Sequence, residues 1–184
     1  MRIVTVILLL SAVLFAQRSG PYIGVGYGVG FYDSDDRLKY EESDITNSTL
    51  RFTLGAYINE NFSVEMDYTH YDEFYGSYDG ADVKESFSII GVCALAHYPF
   101  YDDMFDIYGK IGAGQLFWNE SHGRSNADST GAYIFGGGLG YRYDEAIMIK
   151  IGYDLVSFGL DDKYREKGYD MLLEYFYTAF EYKF

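Results

Sequence analysis

The sequence predicts an all-β fold, an eight-stranded antiparallel up-and-down transmembrane β-barrel. Three observations lead there. At the C-terminal end Phe176, Thr178, Phe180, Tyr182 and Phe184 fall on one parity and Ala179, Glu181 and Lys183 on the other, which is the period of a strand between lipid and a polar interior. At the other end, residues 1–16 carry a positive start (Arg2), an apolar run from Ile3 to Leu10 and a plausible cut after Ala16. That stretch reads as a secretory signal peptide, which leaves residues 17–184 as one barrel domain. The composition is the third: 21 Gly, 21 Tyr and 14 Phe against 2 Pro and 1 Trp. Aromatics favour strands and crowd membrane interfaces, and glycine lets a small barrel close on a narrow lumen. After Ala16 no run reaches about 18 apolar residues, so only strands could cross a bilayer. The expected location is the bacterial outer membrane.

Each strand can be justified in turn. The first, residues 22–32, sets Ile23, Val25, Tyr27, Val29 and Phe31 against Gly24, Gly26, Gly28 and Gly30, a lipid face backed by almost no lumen side-chain volume. The second, 49–58, offers Leu50, Phe52, Leu54, Ala56 and Ile58 outward with Arg51 and Thr53 inward. After a short turn at 59–61, the third points Val64, Met66 and Tyr68 outward and Ser63, Glu65, Asp67 and Thr69 inward. The fourth, about 86–98, is apolar on both parities; Ile90, Val92, Ala94, Ala96 and Tyr98 are the preferred outward set. Beyond the turn at 99–104, the fifth carries Ile107, Ile111 and Ala113 outward with Lys110, Gly112 and Gly114 inward. The sixth, 132–143, sets Tyr133, Phe135, Leu139, Tyr141 and Tyr143 against Gly136, Gly138, Gly140 and Arg142, and Asp144 and Glu145 form the next turn. The seventh sets Ile147, Ile149, Ile151, Tyr153 and Leu155 against Met148, Lys150, Gly152 and Asp154. The eighth begins near Met171. Long links at 33–47, 72–85, 118–130 and 159–170 alternate with the short ones, as expected of surface loops and periplasmic turns.

The inward parity collects Arg51, Lys110, Arg142, Lys150 and Lys183 against Glu65, Asp67, Asp154 and Glu181, five positive and four negative. Near balance in a barrel just wide enough for its side chains to fill implies internal ion pairs and a packed polar plug. Arg51 and Asp67, on strands joined by the 59–61 turn, are close enough for a diagonal pair. A narrow gated pore for small solutes is the alternative. Cys93 has no disulfide partner and reads as packing.

The chain carries a formal charge of −14, and the four long links hold seventeen acidic and seven basic residues. Nucleic acid is excluded as a partner, because phosphate binding needs a basic surface. A solvated, repulsive face is the leading reading; divalent cations shared with lipopolysaccharide are the weaker one, since Asp33-Ser34-Asp35-Asp36 lacks the spacing and turn glycine of a calcium loop. No catalytic, cofactor-binding or metal-ligating set is expected. His70 and His97 read as interfacial residues.

The segments Tyr22-Ile23-Gly24-Val25-Gly26-Tyr27-Gly28, Phe62-Ser63-Val64-Glu65-Met66-Asp67-Tyr68, Tyr108-Gly109-Lys110-Ile111-Gly112-Ala113-Gly114, Gly136-Gly137-Gly138-Leu139-Gly140-Tyr141-Arg142-Tyr143 and Phe180-Glu181-Tyr182-Lys183-Phe184 resemble the small eight-stranded outer-membrane barrels, the OmpA transmembrane domain and the opacity-type porin-like family. The resemblance implies that Phe180, Tyr182 and Phe184 form the signal read by the barrel-assembly machinery. It also implies tether, adhesin or invasion roles; the peptidoglycan-binding domain of full-length OmpA proteins is not expected here. The segment His122-Gly123-Arg124-Ser125-Asn126-Ala127 is similar to the His-x-Ser-Asn segment of lipid A deacylases, with one extra residue. Three positions apart on a strand, His122 and Ser125 would face opposite sides. The expected protein is a monomeric, non-enzymatic barrel in contact with outer-membrane lipid and lipopolysaccharide, whose loops serve envelope integrity or meet an extracellular or host ligand.

Overall fold

The computed structural model describes residues 19–33, 46–78, 81–121, 125–162 and 167–184. Eight strands follow in order: β1 (Gly20–Asp33), β2 (Thr46–Tyr57), β3 (Phe62–Tyr78), β4 (Ala81–Phe100), β5 (Phe105–Ser121), β6 (Ser125–Arg142), β7 (Ile147–Asp162) and β8 (Lys167–Lys183). Each pairs antiparallel with its sequence neighbour, and β1 closes on β8 with Val25 opposite Phe180 and Gly28 opposite Tyr177. Closure matters because lipid offers no partner to a free N–H or C=O, so a spanning sheet cannot leave an edge.

The outer face is apolar. Ile23, Leu54, Val92, Ile111, Leu139, Ile151 and Phe180 are all exposed on it. On β4, Ile90, Val92 and Tyr98 point outward while Ile89, Cys93 and Leu95 are buried inside. A soluble protein would not leave these side chains in water.

Three tight turns share one rim. Asn59 Oδ1 accepts from the N–H groups of Asn61 and Phe62 at 2.8 and 2.9 Å, and Asp144 Oδ1 accepts from Ala146 and Ile147 at 2.8 and 2.7 Å. These side chains stand in for a backbone acceptor, the usual reason Asn and Asp occupy turns. The β4–β5 turn places Tyr101, Asp102 and Asp103 at positive φ. By the length asymmetry of such barrels this is the periplasmic rim, and Phe184 N donates there to Pro21 O at 3.0 Å.

Three of the four links expected as long loops are mostly strand. β3 and β4 run to within two residues of each other, and β5–β6 and β7–β8 come nearly as close. Strands of up to 20 residues exceed the roughly 9–11 that cross a bilayer, so the sheet continues above the lipid. There the outer face meets water and needs no apolar parity, which removes the signal that marks a strand. An irregularity between Tyr71 and Phe74 adds to this: it resets the alternation so that both rings point inward. The β1–β2 link at 34–45 lies outside the described residues.

The interior has two layers. Toward the extracellular end Tyr32, Phe74, Phe87, Leu116, Phe158, Met171 and Leu173 are buried together, with Tyr32 and Phe87 ring centroids 4.8 Å apart. The plug is therefore not polar throughout, as the inward charges alone had suggested. The glycine faces are not empty space either. A Cβ on Gly152 would meet the Tyr108 hydroxyl and the Tyr177 ring, and one on Gly55 would run into the Tyr22 ring. Glycine on one strand makes room for tyrosine on another.

Candidate functional site in the barrel interior

Below the apolar layer lies a charged cluster built from four strands, in which alternation turns Arg51 of β2, Glu65 and Asp67 of β3, Lys110 of β5 and Asp154 of β7 inward. Arg51 is its centre. Nε and Nη2 donate to the two oxygens of Asp67 at 3.0 and 2.8 Å, Nη2 also reaches Glu65 Oε1 at 2.6 Å, and Nη1 reaches Asp154 Oδ2 at 3.0 Å. The planar guanidinium fork suits this, since it can hold three carboxylates where an ammonium offers a point charge. Lys110 Nζ bonds Asp154 Oδ2 and lies 3.5 Å from Asp67 and 3.7 Å from Glu65.

Neutral donors complete the shell. Tyr22 Oη donates to Glu65 Oε2 at 2.9 Å and Thr53 Oγ1 to Asp67 Oδ1 at 2.8 Å. The Arg51 guanidinium sits 4.9 Å over the Tyr177 ring, whose hydroxyl pairs with that of Tyr108 at 3.0 Å. Two cations thus face three carboxylates, one negative charge in excess where the sequence had suggested a slight positive surplus.

The remaining charges of the inward parity stand apart from this centre. Lys150 Nζ pairs with Glu181 Oε1 at 2.6 Å and lies 4.9 Å over the Tyr108 ring. Arg142 and Lys183 are half-buried at the periplasmic rim, where with Tyr22, Tyr57, Met148 and Glu181 they line a small vestibule.

Two further groups escaped the sequence reading. His97 is not interfacial: its side chain is buried, Nδ1 is 2.9 Å from Asp106 Oδ2, and Nε2 is 2.8 Å from Ser63 Oγ. The available signal was parity, since His97 alternates with outward Ala96 and Tyr98. Glu85, counted among the acidic link residues, is buried in the apolar layer and accepts from Trp118 Nε1 at 3.1 Å. His70, in contrast, faces outward and meets Ser88 Oγ at 2.9 Å. Residues 122–124 lie outside the described residues, and with them His122.

Comparison with known proteins agrees with this architecture. The model of the outer membrane protein beta-barrel domain family matches residues 3–184. The chain belongs to this family. It is therefore a bacterial outer-membrane β-barrel. Similar solved structures include Neisserial surface protein A, with 15% identity, a TM-score of 0.73 and coverage of 90% of this chain and 98% of that one. Ail, the attachment invasion locus protein of Yersinia pestis, in complex with the heparin analogue sucrose octasulfate, has 16% identity and a TM-score of 0.60 over 91% and 100% of the two chains. OprG of Pseudomonas aeruginosa has 12% identity and a TM-score of 0.57 over 92% and 98%. At these identities the likeness is one of fold. No curated protein sequence gives a significant match.

Proposed function

We propose that this outer-membrane barrel is a closed surface protein, whose extracellular strand extensions serve envelope integrity or contact with the environment. The observation that carries this reading is the filled lumen: an aromatic and aliphatic layer above an Arg51-centred ion cluster. An ion entering would have to displace groups already holding one another in a medium of low dielectric. The functional surface is then outside the lumen, on β3–β4, β5–β6 and β7–β8 above the lipid.

That surface is acidic, and its exposed Glu73 takes hydrogen bonds from Tyr75 at 2.8 Å and Lys84 at 3.2 Å. Charge complementarity disfavours a sulfated polyanion of the kind bound by Ail and favours a neutral or basic ligand. Lipopolysaccharide surrounds the barrel, and the barrel-assembly machinery reads Phe180, Tyr182 and Phe184 during insertion. A narrow small-solute pore is the second reading, and it requires the ion cluster to open.

The test is a binding screen on the refolded barrel beside a form in which the end of the β3–β4 hairpin, residues 76–82, is replaced by a short turn, so that buried Phe74, Val83 and Glu85 are kept. The surface role predicts ligand or whole-cell binding that the shortened form loses while remaining folded. Equal binding by both forms contradicts it.

A further inference from the structure

The vestibule at the periplasmic rim holds about 300 Å³ together with its open mouth, the lower end of the range for small-molecule sites. Strand ends and the β6–β7 turn build its walls. Tyr22, Tyr57, Met148 and Glu181 are buried and form the inner part, whereas Lys183 is half-buried and Glu145 exposed toward the mouth.

Glu181 is the informative member. Its Oε1 pairs with Lys150 Nζ at 2.6 Å, while Oε2 is buried with no hydrogen-bond partner among the described residues. A buried carboxylate oxygen left without a donor is costly, so a donor belongs beside it. The charges around the mouth decide what kind of molecule brings that donor. Lys150 already balances Glu181, and Arg142 and Lys183 face Asp144 and Glu145, two of each sign. Asp144 is also committed to the turn, where its Oδ1 accepts from the N–H groups of Ala146 and Ile147. A lining without net charge disfavours a simple cation or anion and suits a ligand that carries both signs. Glu181 and Lys183 lie two residues apart on one face of β8, roughly 7 Å along the strand. An ammonium and a carboxylate on one carbon bridge such a gap when each makes a hydrogen bond.

We propose that the vestibule binds a small zwitterion from the periplasm, an ammonium and a carboxylate carried on one carbon, as in a free amino acid with a small side chain. The ammonium donates to Glu181 Oε2 and lies against the rings of Tyr22 and Tyr57, whose centroids are 4.9 Å apart and whose faces attract a cation. The carboxylate meets Lys183 at the mouth. The small volume leaves no space for a long side chain. This site is at the opposite end of the barrel from the surface role proposed above and does not depend on it.

The test titrates the refolded full-length barrel in lipid nanodiscs with glycine and follows the backbone amide shifts of Ala146, Ile147 and Lys183 at the vestibule. The proposal predicts saturable shifts confined to this rim. Methylammonium and acetate, each half of the ligand, and glycylglycine, which sets the two charges apart, should bind about tenfold or more weakly, the scale of one lost charged contact. Glu181→Gln keeps an acceptor for Lys150 and should weaken glycine by a similar factor. Lys183→Met should do the same while leaving methylammonium unchanged, and it carries the test should Glu181→Gln fail to fold. No saturable shift with glycine overturns the proposal, as does methylammonium binding as tightly as glycine, or glycine binding unchanged in folded Lys183→Met barrels.

Discussion

The ion cluster makes an asymmetric prediction about its own members. Arg51 alone bonds three carboxylates, Glu65, Asp67 and Asp154, and only Lys110 shares that task. Arg51→Met would leave one cation against three buried carboxylates. Uncompensated buried charge of this kind costs about 3–5 kcal/mol. Glu65→Gln would instead bring the cluster to two cations and two carboxylates while keeping an acceptor for Tyr22. It exchanges a charge-assisted bond for a neutral one, a loss of about 1 kcal/mol. Combining Arg51→Met with Asp67→Asn and Asp154→Asn returns the site to Lys110 against Glu65, and should recover part of the loss despite three substitutions. The assay is urea unfolding from lipid vesicles followed by emission of Trp118, the only tryptophan in the chain, which packs against the extracellular layer. If Glu65→Gln destabilises as much as Arg51→Met, the charge accounting is wrong.

Other perturbations probe the two faces. Arg placed at Leu54, Ile149 or Ile151, all outward, should cost roughly 2–4 kcal/mol near the bilayer midplane in the same titration; neutral outcomes would reverse the assigned parity. Gly152→Leu forces a side chain against Tyr108 and Tyr177 and should lose about 1–3 kcal/mol or more by overpacking, whereas Gly109→Ala, where an added Cβ meets nothing within 4 Å, should be close to neutral. Phe184→Ser should lower the folded outer-membrane fraction while export continues, measured by heat-modifiable migration of membrane fractions. Unchanged surface levels would remove Phe184 from the assembly signal.

The outer face was legible because lipid strongly favours apolar side chains at outward positions, so Leu50, Phe52 and Leu54 or Ile147, Ile149 and Ile151 announce their own orientation. Above the bilayer that rule lapses. Residues 72–85 therefore read as a loop, although Phe74, Val83 and Glu85 are inward strand residues. The apolar layer was half visible in runs that are apolar on both parities, Ile89-Ile90 and Leu155-Val156 among them, since a strand that packs inside and faces lipid outside loses its alternation. Parity could nominate the inward charges, but not which of them meet. Arg51 and Asp154 are 103 positions apart, and their contact depends on the stagger of the closed sheet, which no local pattern encodes. The same holds for Ser63, His97 and Asp106. Their juxtaposition needs the register that sets Pro99 opposite Asp106 and His97 opposite Tyr108.

The closed lumen is tested most directly by single-channel recording of the refolded wild-type barrel in planar bilayers. Interior packing by Phe74, Phe87, Leu116 and Leu173 above the Arg51 cluster predicts little or no current at moderate voltage. Loss of Arg51 should raise conductance as it lowers stability, because unpaired carboxylates draw water into the lumen. A steady wild-type conductance in the range of general porins, unchanged in Arg51→Met, would contradict the plugged barrel and favour the pore.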